Sequence, residues 1–218
     1  MTQRIALVTG ASRGLGAAMA EHLALRGWHV VAVARTVGGL EDLDDRVKAH
    51  LLPGAGSLTL APMDITTDDA MRHLCRSIHD RWGELGLWLH TAIHVAPMAP
   101  AGSMDIKDWD KSVATNARAT GSLIPMIEPL LRAGAGTAVF FDDPRAGQKF
   151  FGAYGATKAA QIALARSWAV ETIRTGPQVR IETPGAMPTA TRARCFPGED
   201  RSTLTDTRTE AARLLAFL

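Results

Sequence analysis

The sequence is poor in the features that mark secreted, membrane-bound or polyanion-binding chains. Cysteine occurs twice in 218 residues. Cys75 and Cys195 lie far apart in a chain too large to need stapling, so free thiols are expected rather than a disulfide or a metal site. No apolar run approaches the roughly 20 residues of a membrane span, and no basic and apolar leader precedes the first strand pattern. A cytoplasmic protein without membrane contact is expected. Charge of one sign is not in surplus either. The 24 Lys+Arg against 22 Asp+Glu leave a net charge of +2, with no basic block to neutralise a run of phosphates, so nucleic acid is not an expected partner. What the chain has is apolar material, 46% of residues, enough for the core of one domain spanning residues 1–218.

That apolar material comes in short continuous runs separated by helical patterns. Ile5 to Val8 reads as a strand, followed by a glycine-rich turn and a helix from Ala17 to Arg26 closed by Gly27. The unit repeats as strand Val30 to Ala34, helix Leu40 to Leu51, strand Leu58 to Pro62 and helix Asp68 to Trp82. Then come strand Leu87 to Leu89, a helical stretch Trp109 to Arg132, strand Thr137 to Phe141, helix Tyr154 to Arg174 and a short strand Val179 to Ile181. Continuous rather than alternating apolar character means strands covered on both faces. The expected fold is a three-layer α/β domain, a doubly wound parallel sheet of Rossmann type.

Where the first strand passes into the first helix the row reads Thr9-Gly10-Ala11-Ser12-Arg13-Gly14-Leu15-Gly16. Glycines here let the backbone turn tightly and approach a ligand, and the helix N-terminus offers unpaired N–H groups to a pyrophosphate. This Gly-x-x-x-Gly-x-Gly spacing, with Thr9 before it, resembles the cofactor loop of the short-chain dehydrogenase/reductase family. Tyr154-Gly155-Ala156-Thr157-Lys158 matches the family's helical tyrosine and lysine, spaced so that phenol and ammonium share one face. The resemblance implies that Tyr154 is the general acid/base, that Lys158 lowers its pKa and holds the nicotinamide ribose, and that Asn116 holds a water linking the lysine to solvent.

The cofactor expected from the resemblance is NADP rather than NAD. Where NAD-binding members carry a carboxylate, the second strand ends at Arg35, which can grip a 2′-phosphate together with Arg13. Gly10, Ser12, Gly14, Leu15 and Gly16 are expected around the pyrophosphate, Asp64 and Ile65 at the adenine, and Ala92, Pro184, Gly185 and Thr189 near the nicotinamide. An Asp after a strand also serves as a helix or turn cap. Residues 186–205 occupy the place of the family's substrate lid, in which Arg192 and Arg194 would suit an acidic substrate or simply be solvated. The chain stops inside a helical pattern where family members continue into a seventh strand. Ala156, Ala159, Ala160 and Ala163 form a small-residue face on the tyrosine helix, from which a homodimer is expected.

Two departures stand out. The family's Asn-Asn-Ala-Gly after the fourth strand reads His90-Thr91-Ala92-Ile93, altering the backbone's approach to the cofactor. No serine or threonine lies between Thr137 and Tyr154, so Asp142 or Asp143 takes the place of the catalytic serine, with Asp142 named first. An ionised carboxylate cannot donate a hydrogen bond and raises the pKa of a neighbouring phenol. It would have to be protonated, neutralised by Arg145, or replaced by another donor. His90 and His94 have no partners at ligand spacing and read as pocket or core histidines, so no metal is expected. The expected activity is hydride transfer between NADP and a small carbonyl or secondary-alcohol substrate. A nucleotide-binding sensor or complex partner with little activity is the alternative, and a relative that binds no dinucleotide is a third.

Overall fold

The computed structural model describes residues 3–50 and 54–218. Six parallel strands form one sheet: β1 (Ile5–Thr9), β2 (His29–Ala34), β3 (Ser57–Pro62), β4 (Leu87–His90), β5 (Thr137–Phe141) and β6 (Gln178–Glu182). Their order is β3-β2-β1-β4-β5-β6. The order reverses between β1 and β4, which pair from Ala6↔Leu87 to Thr9↔His90. A crevice opens at the carboxyl ends of the strands at such a reversal, where ligands bind in open α/β sheets.

Each strand contributes to two cores because successive side chains point to opposite faces. Ala6 and Val8 of β1, with Val139 and Phe141 of β5, pack against α1 (Gly14–Leu25), α2 (Val37–Ala49) and α8 (Thr207–Leu214). Ile5 and Leu7, with Ala138 and Phe140, pack against α3 (Asp68–Trp82), α5 (Ala119–Ala133) and α6 (Gly152–Glu171). The expected three-layer α/β sheet is therefore the observed one. At its centre Phe140 meets Trp88 edge-on at 5.3 Å and Trp168 at 6.3 Å.

Boundaries differ where local chemistry overrides period. α1 begins at Gly14, inside the glycine loop, and α2 begins at Val37; the expected end of the second helix at Leu51 lies outside the described residues. The helical stretch expected from Trp109 starts earlier, because Asp105 accepts hydrogen bonds from the N–H groups of Lys107 and Asp108 and caps α4 (Ile106–Ser112). A wide π-helical turn at Val113–Arg118 then separates α4 from α5. Such turns free backbone groups for other work, and Asn116 sits in this one. β6 runs two residues longer than expected. Within the expected lid lies α7 (Ala190–Cys195), and the last helix, α8, capped by Asp206, buries Ala211 and Leu214, with Leu215 just after it, in the core beside α1.

Phe140 is fully buried, so Phe140→Ala is expected to lower the unfolding free energy by about 3–5 kcal/mol, read from urea denaturation.

Candidate functional site

The glycine loop is held against the sheet ends by backbone. The N–H groups of Gly10 and Ala11 both donate to the Val33 carbonyl, at 2.8 and 3.1 Å. Gly10 adopts φ +89, and a Cβ there would lie 2.6 Å from the backbone nitrogen of Ala92. A Cβ on Gly16 would collide with the Gly10 carbonyl and the Thr91 hydroxyl. Only glycine fits these two positions. The first turn of α1 contains no acidic residue and has no side-chain cap, so its N–H groups are open to an anion. The altered segment after β4 keeps its contact with this loop: Thr91 Oγ1 donates to the Thr9 carbonyl at 2.8 Å and Ala92 abuts Gly10.

A cleft of about 860 Å³ runs along the carboxyl edge of the sheet. Gly10, Ser12, Arg13, Gly14, Leu15, Gly16, Arg35, Asp64, Ile65, Ala92, Tyr154, Lys158, Pro184, Gly185 and Thr189 all line it, as do Asp142 and Asp143. Asn116 does not; it lies buried behind the cleft wall. Arg35 stands exposed, 3.9 Å from Asp64. Asp64 also closes its own turn, accepting from the N–H and hydroxyl of Thr66 at 2.9 and 2.8 Å. The residues fit a nicotinamide dinucleotide: a cradle with no room for side chains, an open helix N-terminus, and Arg13 and Arg35 at its outer end.

At the inner end the Tyr154 hydroxyl donates to Asp143 Oδ2 at 3.1 Å. The other oxygen of that carboxylate accepts from Arg145 Nε at 2.9 Å. The carboxylate beside the phenol thus belongs to Asp143. Asp142, named first from the sequence, faces Arg166 at 3.5 Å instead, because successive residues leaving a strand point to opposite sides. Burial, the Asp143 charge and its hydrogen bond all push the Tyr154 phenol well above the usual tyrosine range. Lys158 is pushed down to about 8, chiefly by burial, with the charges of Asp142 and Asp143 opposing that fall. The expected lowering of the phenol is reversed, first by burial and then by the Asp143 carboxylate.

Asn116 is fixed by three bonds: Oδ1 accepts from the His94 N–H at 2.7 Å, and Nδ2 donates to the His94 carbonyl and to Thr157 Oγ1, each at 2.9 Å. Its carbonyl accepts from Gln161 Nε2 at 3.1 Å and from Thr120 Oγ1 at 2.9 Å. Gln161 Oε1 in turn accepts from Lys158 Nζ at 2.7 Å. Gln161 and Thr120 escaped the sequence reading, although a lone amide on the buried face of an alanine-rich helix was a signal for the first. Glu210 escaped it too: its carboxylate takes the Gly185 N–H at 2.6 Å and so anchors the turn after β6 from α8. His90 is a fully buried histidine held between Thr9 and Thr120, neutral because burial drives its pKa down to about 3. Arg192, one of the two lid arginines, is neutralised by both carboxylate oxygens of Glu199, at 2.5 and 2.6 Å.

Residues 4–200 match the family model for short chain dehydrogenase. The chain belongs to the short-chain dehydrogenase family. Over 196 residues, 85% of this chain and 73% of the other, it is 30% identical to the rhamnolipids biosynthesis 3-oxoacyl-acyl-carrier-protein reductase of Pseudomonas aeruginosa. It is 34% identical to an A-factor type gamma-butyrolactone 1′-reductase of Streptomyces virginiae over 64% of this chain, and spans only 53% of that protein. A short chain dehydrogenase of Escherichia coli, solved in complex with NADPH, superposes with a TM-score of 0.88 at 28% identity, over the whole of this chain and 91% of the other.

Lys158 titrates near 10.5 unfolded and near 8 folded. Below pH 8 the native state carries a buried charge, and the unfolded state holds the proton more tightly, so this group's cost to stability fades as pH rises through that interval. Lys158→Met is accordingly expected to gain about 1–3 kcal/mol at neutral pH. The gain should shrink toward pH 10.5, measured by urea unfolding across the pH range.

Proposed function

We propose that this short-chain dehydrogenase is an NADP-preferring oxidoreductase acting on a carbonyl or secondary alcohol. The observation that carries this is the placement of Tyr154 and Lys158 at the inner end of the same cleft that has the glycine loop, Arg13 and Arg35 at its outer end. When bound, NADP supplies the hydride donor or acceptor. Arg35 directly follows β2, where a carboxylate would repel a 2′-phosphate, and its guanidinium suits that group instead. The Escherichia coli relative with bound NADPH supports the same preference.

Tyr154 presents its hydroxyl to a substrate oxygen, and Lys158 supplies a positive charge behind it. Around the phenol Ile93, Val95, Phe151, Cys195 and Phe196 form an apolar patch, which favours a substrate whose reacting oxygen sits on an apolar body. Residues 186–205, with α7 at their centre, act as the lid that brings Cys195 and Phe196 over this patch. Ala156, Ala159, Ala160 and Ala163 lie exposed along α6, and we assign this face to the interface of a homodimer.

NADPH should bind about tenfold or more tightly than NADH, with Arg35→Ala removing most of the difference, in parallel fluorescence titrations. Tyr154→Phe should cut turnover about 10²–10⁴-fold while NADPH binding holds. Tight binding with no turnover across ketones, aldehydes and alcohols would favour the sensor alternative. For the dimer, Ala160→Arg is expected to give a monomer in analytical ultracentrifugation.

A further inference from the structure

In this family's arrangement, as the sequence resemblance implied, a water held at the asparagine connects the lysine to solvent. Here that connection is closed. Gln161 stands between Lys158 Nζ and the Asn116 carbonyl, at 2.7 and 3.1 Å. A carbonyl offers two lone pairs, and those of Asn116 are taken by Gln161 and Thr120. Behind them the network closes on itself. Thr120 gives its one proton to Asn116, so its oxygen accepts from Gln161 Nε2 and from His90 Nε2, each at 3.0 Å. Nδ1 of His90 then accepts from Thr9 Oγ1 at 2.8 Å. Every member is buried and satisfied. A primary amide does not titrate in this range, so Gln161 holds the ammonium without carrying its proton.

On the opposite side of Tyr154 the situation is reversed. The Asp143 carboxylate touches the phenol, and its side chain is 37% exposed, whereas Lys158 is 2% exposed. We propose that the proton exchanged at Tyr154 travels to and from water through Asp143, and that Gln161 is a positioning residue that seals the lysine side. The proposal rests on the oxidoreductase reading. In alcohol oxidation the substrate C–H bond breaks and its electron pair leaves as hydride to the oxidised nicotinamide, so the substrate is oxidised and the nicotinamide reduced. The alcohol O–H proton passes to the Tyr154 oxygen as the phenol's own proton passes to Asp143, and the substrate C=O bond forms. Asp143 then releases its proton to water. Reduction runs each transfer backwards. Tyr154 stays a neutral phenol at both ends of the step, so no phenolate is required beside a carboxylate.

Asp143 faces Arg145 from its own loop, Tyr154 and Lys158 from α6, and Arg192 and Cys195 from α7. Of these, Arg145 is its ion-pair partner, and Arg192 is already spent on Glu199.

Tyr154 is the chain's one tyrosine, so phenolate absorbance reports this site alone. In the cofactor-free protein, followed only where circular dichroism stays native, the wild-type phenol should remain protonated through the ordinary tyrosine range. Asp143→Asn should lower its midpoint by about one pH unit or more, a tenfold change in ionisation. With NADP and an alcohol, Asp143→Asn should lose about 10²-fold or more in turnover. Adding Gln161→Ala to Asp143→Asn makes room for water between Lys158 and Asn116 and should restore about tenfold. An unmoved phenol in Asp143→Asn, undiminished turnover in that variant, or no recovery in the double variant overturns the proposal. NADPH titration of each protein keeps the two readings apart: a wild type that does not bind NADPH refutes the cofactor assignment, while binding with any of those three results refutes the route alone.

Discussion

A lysine ammonium held almost wholly out of water sets the terms for everything around it. Charge removed from water is costly unless it is bonded and compensated. Lys158 has one amide oxygen for a bond and two carboxylates, Asp142 and Asp143, for compensation at longer range. The amide can face the ammonium only because its nitrogen is occupied elsewhere, by the Asn116 carbonyl and Thr120. That carbonyl is available because the helix widens at Val113–Arg118 instead of closing its ordinary bonds. Thr120, His90 and Thr9 then follow as a chain of donors and acceptors whose directions leave no freedom of tautomer.

The same ammonium explains how a carboxylate is accommodated where a hydroxyl would be expected. Between Lys158 and Arg145, Asp143 sits in a positive surrounding, and it accepts from the phenol as well as from the guanidinium. Two opposing influences therefore act on Tyr154. Burial and Asp143 hold the proton on the phenol, and Arg145 favours its loss; the first pair prevails. Here the chemistry divides between a phenol that stays neutral and a carboxylate that reaches solvent.

Much of the fold was legible because continuous apolar runs alternating with helical patterns have few solutions other than a parallel sheet covered on both faces. The glycine loop was legible for a local reason: at Gly10 and Gly16 a Cβ has no room, and the chain order strand, turn, helix states where the loop lies. Helix ends were less so, since Asp105 starts a helix by hydrogen-bond chemistry that hydrophobic period does not register. The wide turn at Asn116 was invisible for the same reason. Its partners, Thr157 and Gln161 of α6 among them, are distant in sequence.

By itself the sequence determined the class of fold, the glycine cradle, the tyrosine and lysine on one helical face, and the absence of a serine before them, because each depends on residue type and short spacing. Only the tertiary structure decided which of two adjacent aspartates meets the phenol, that Gln161 rather than water joins Lys158 to Asn116, and that Glu210 holds the turn at Gly185. These are contacts between elements, set by the direction in which a strand ends and by how helices pack on the sheet. Adjacent residues at a strand end look alike in sequence, and a rotation of half a turn separates one that meets the phenol from one that faces Arg166.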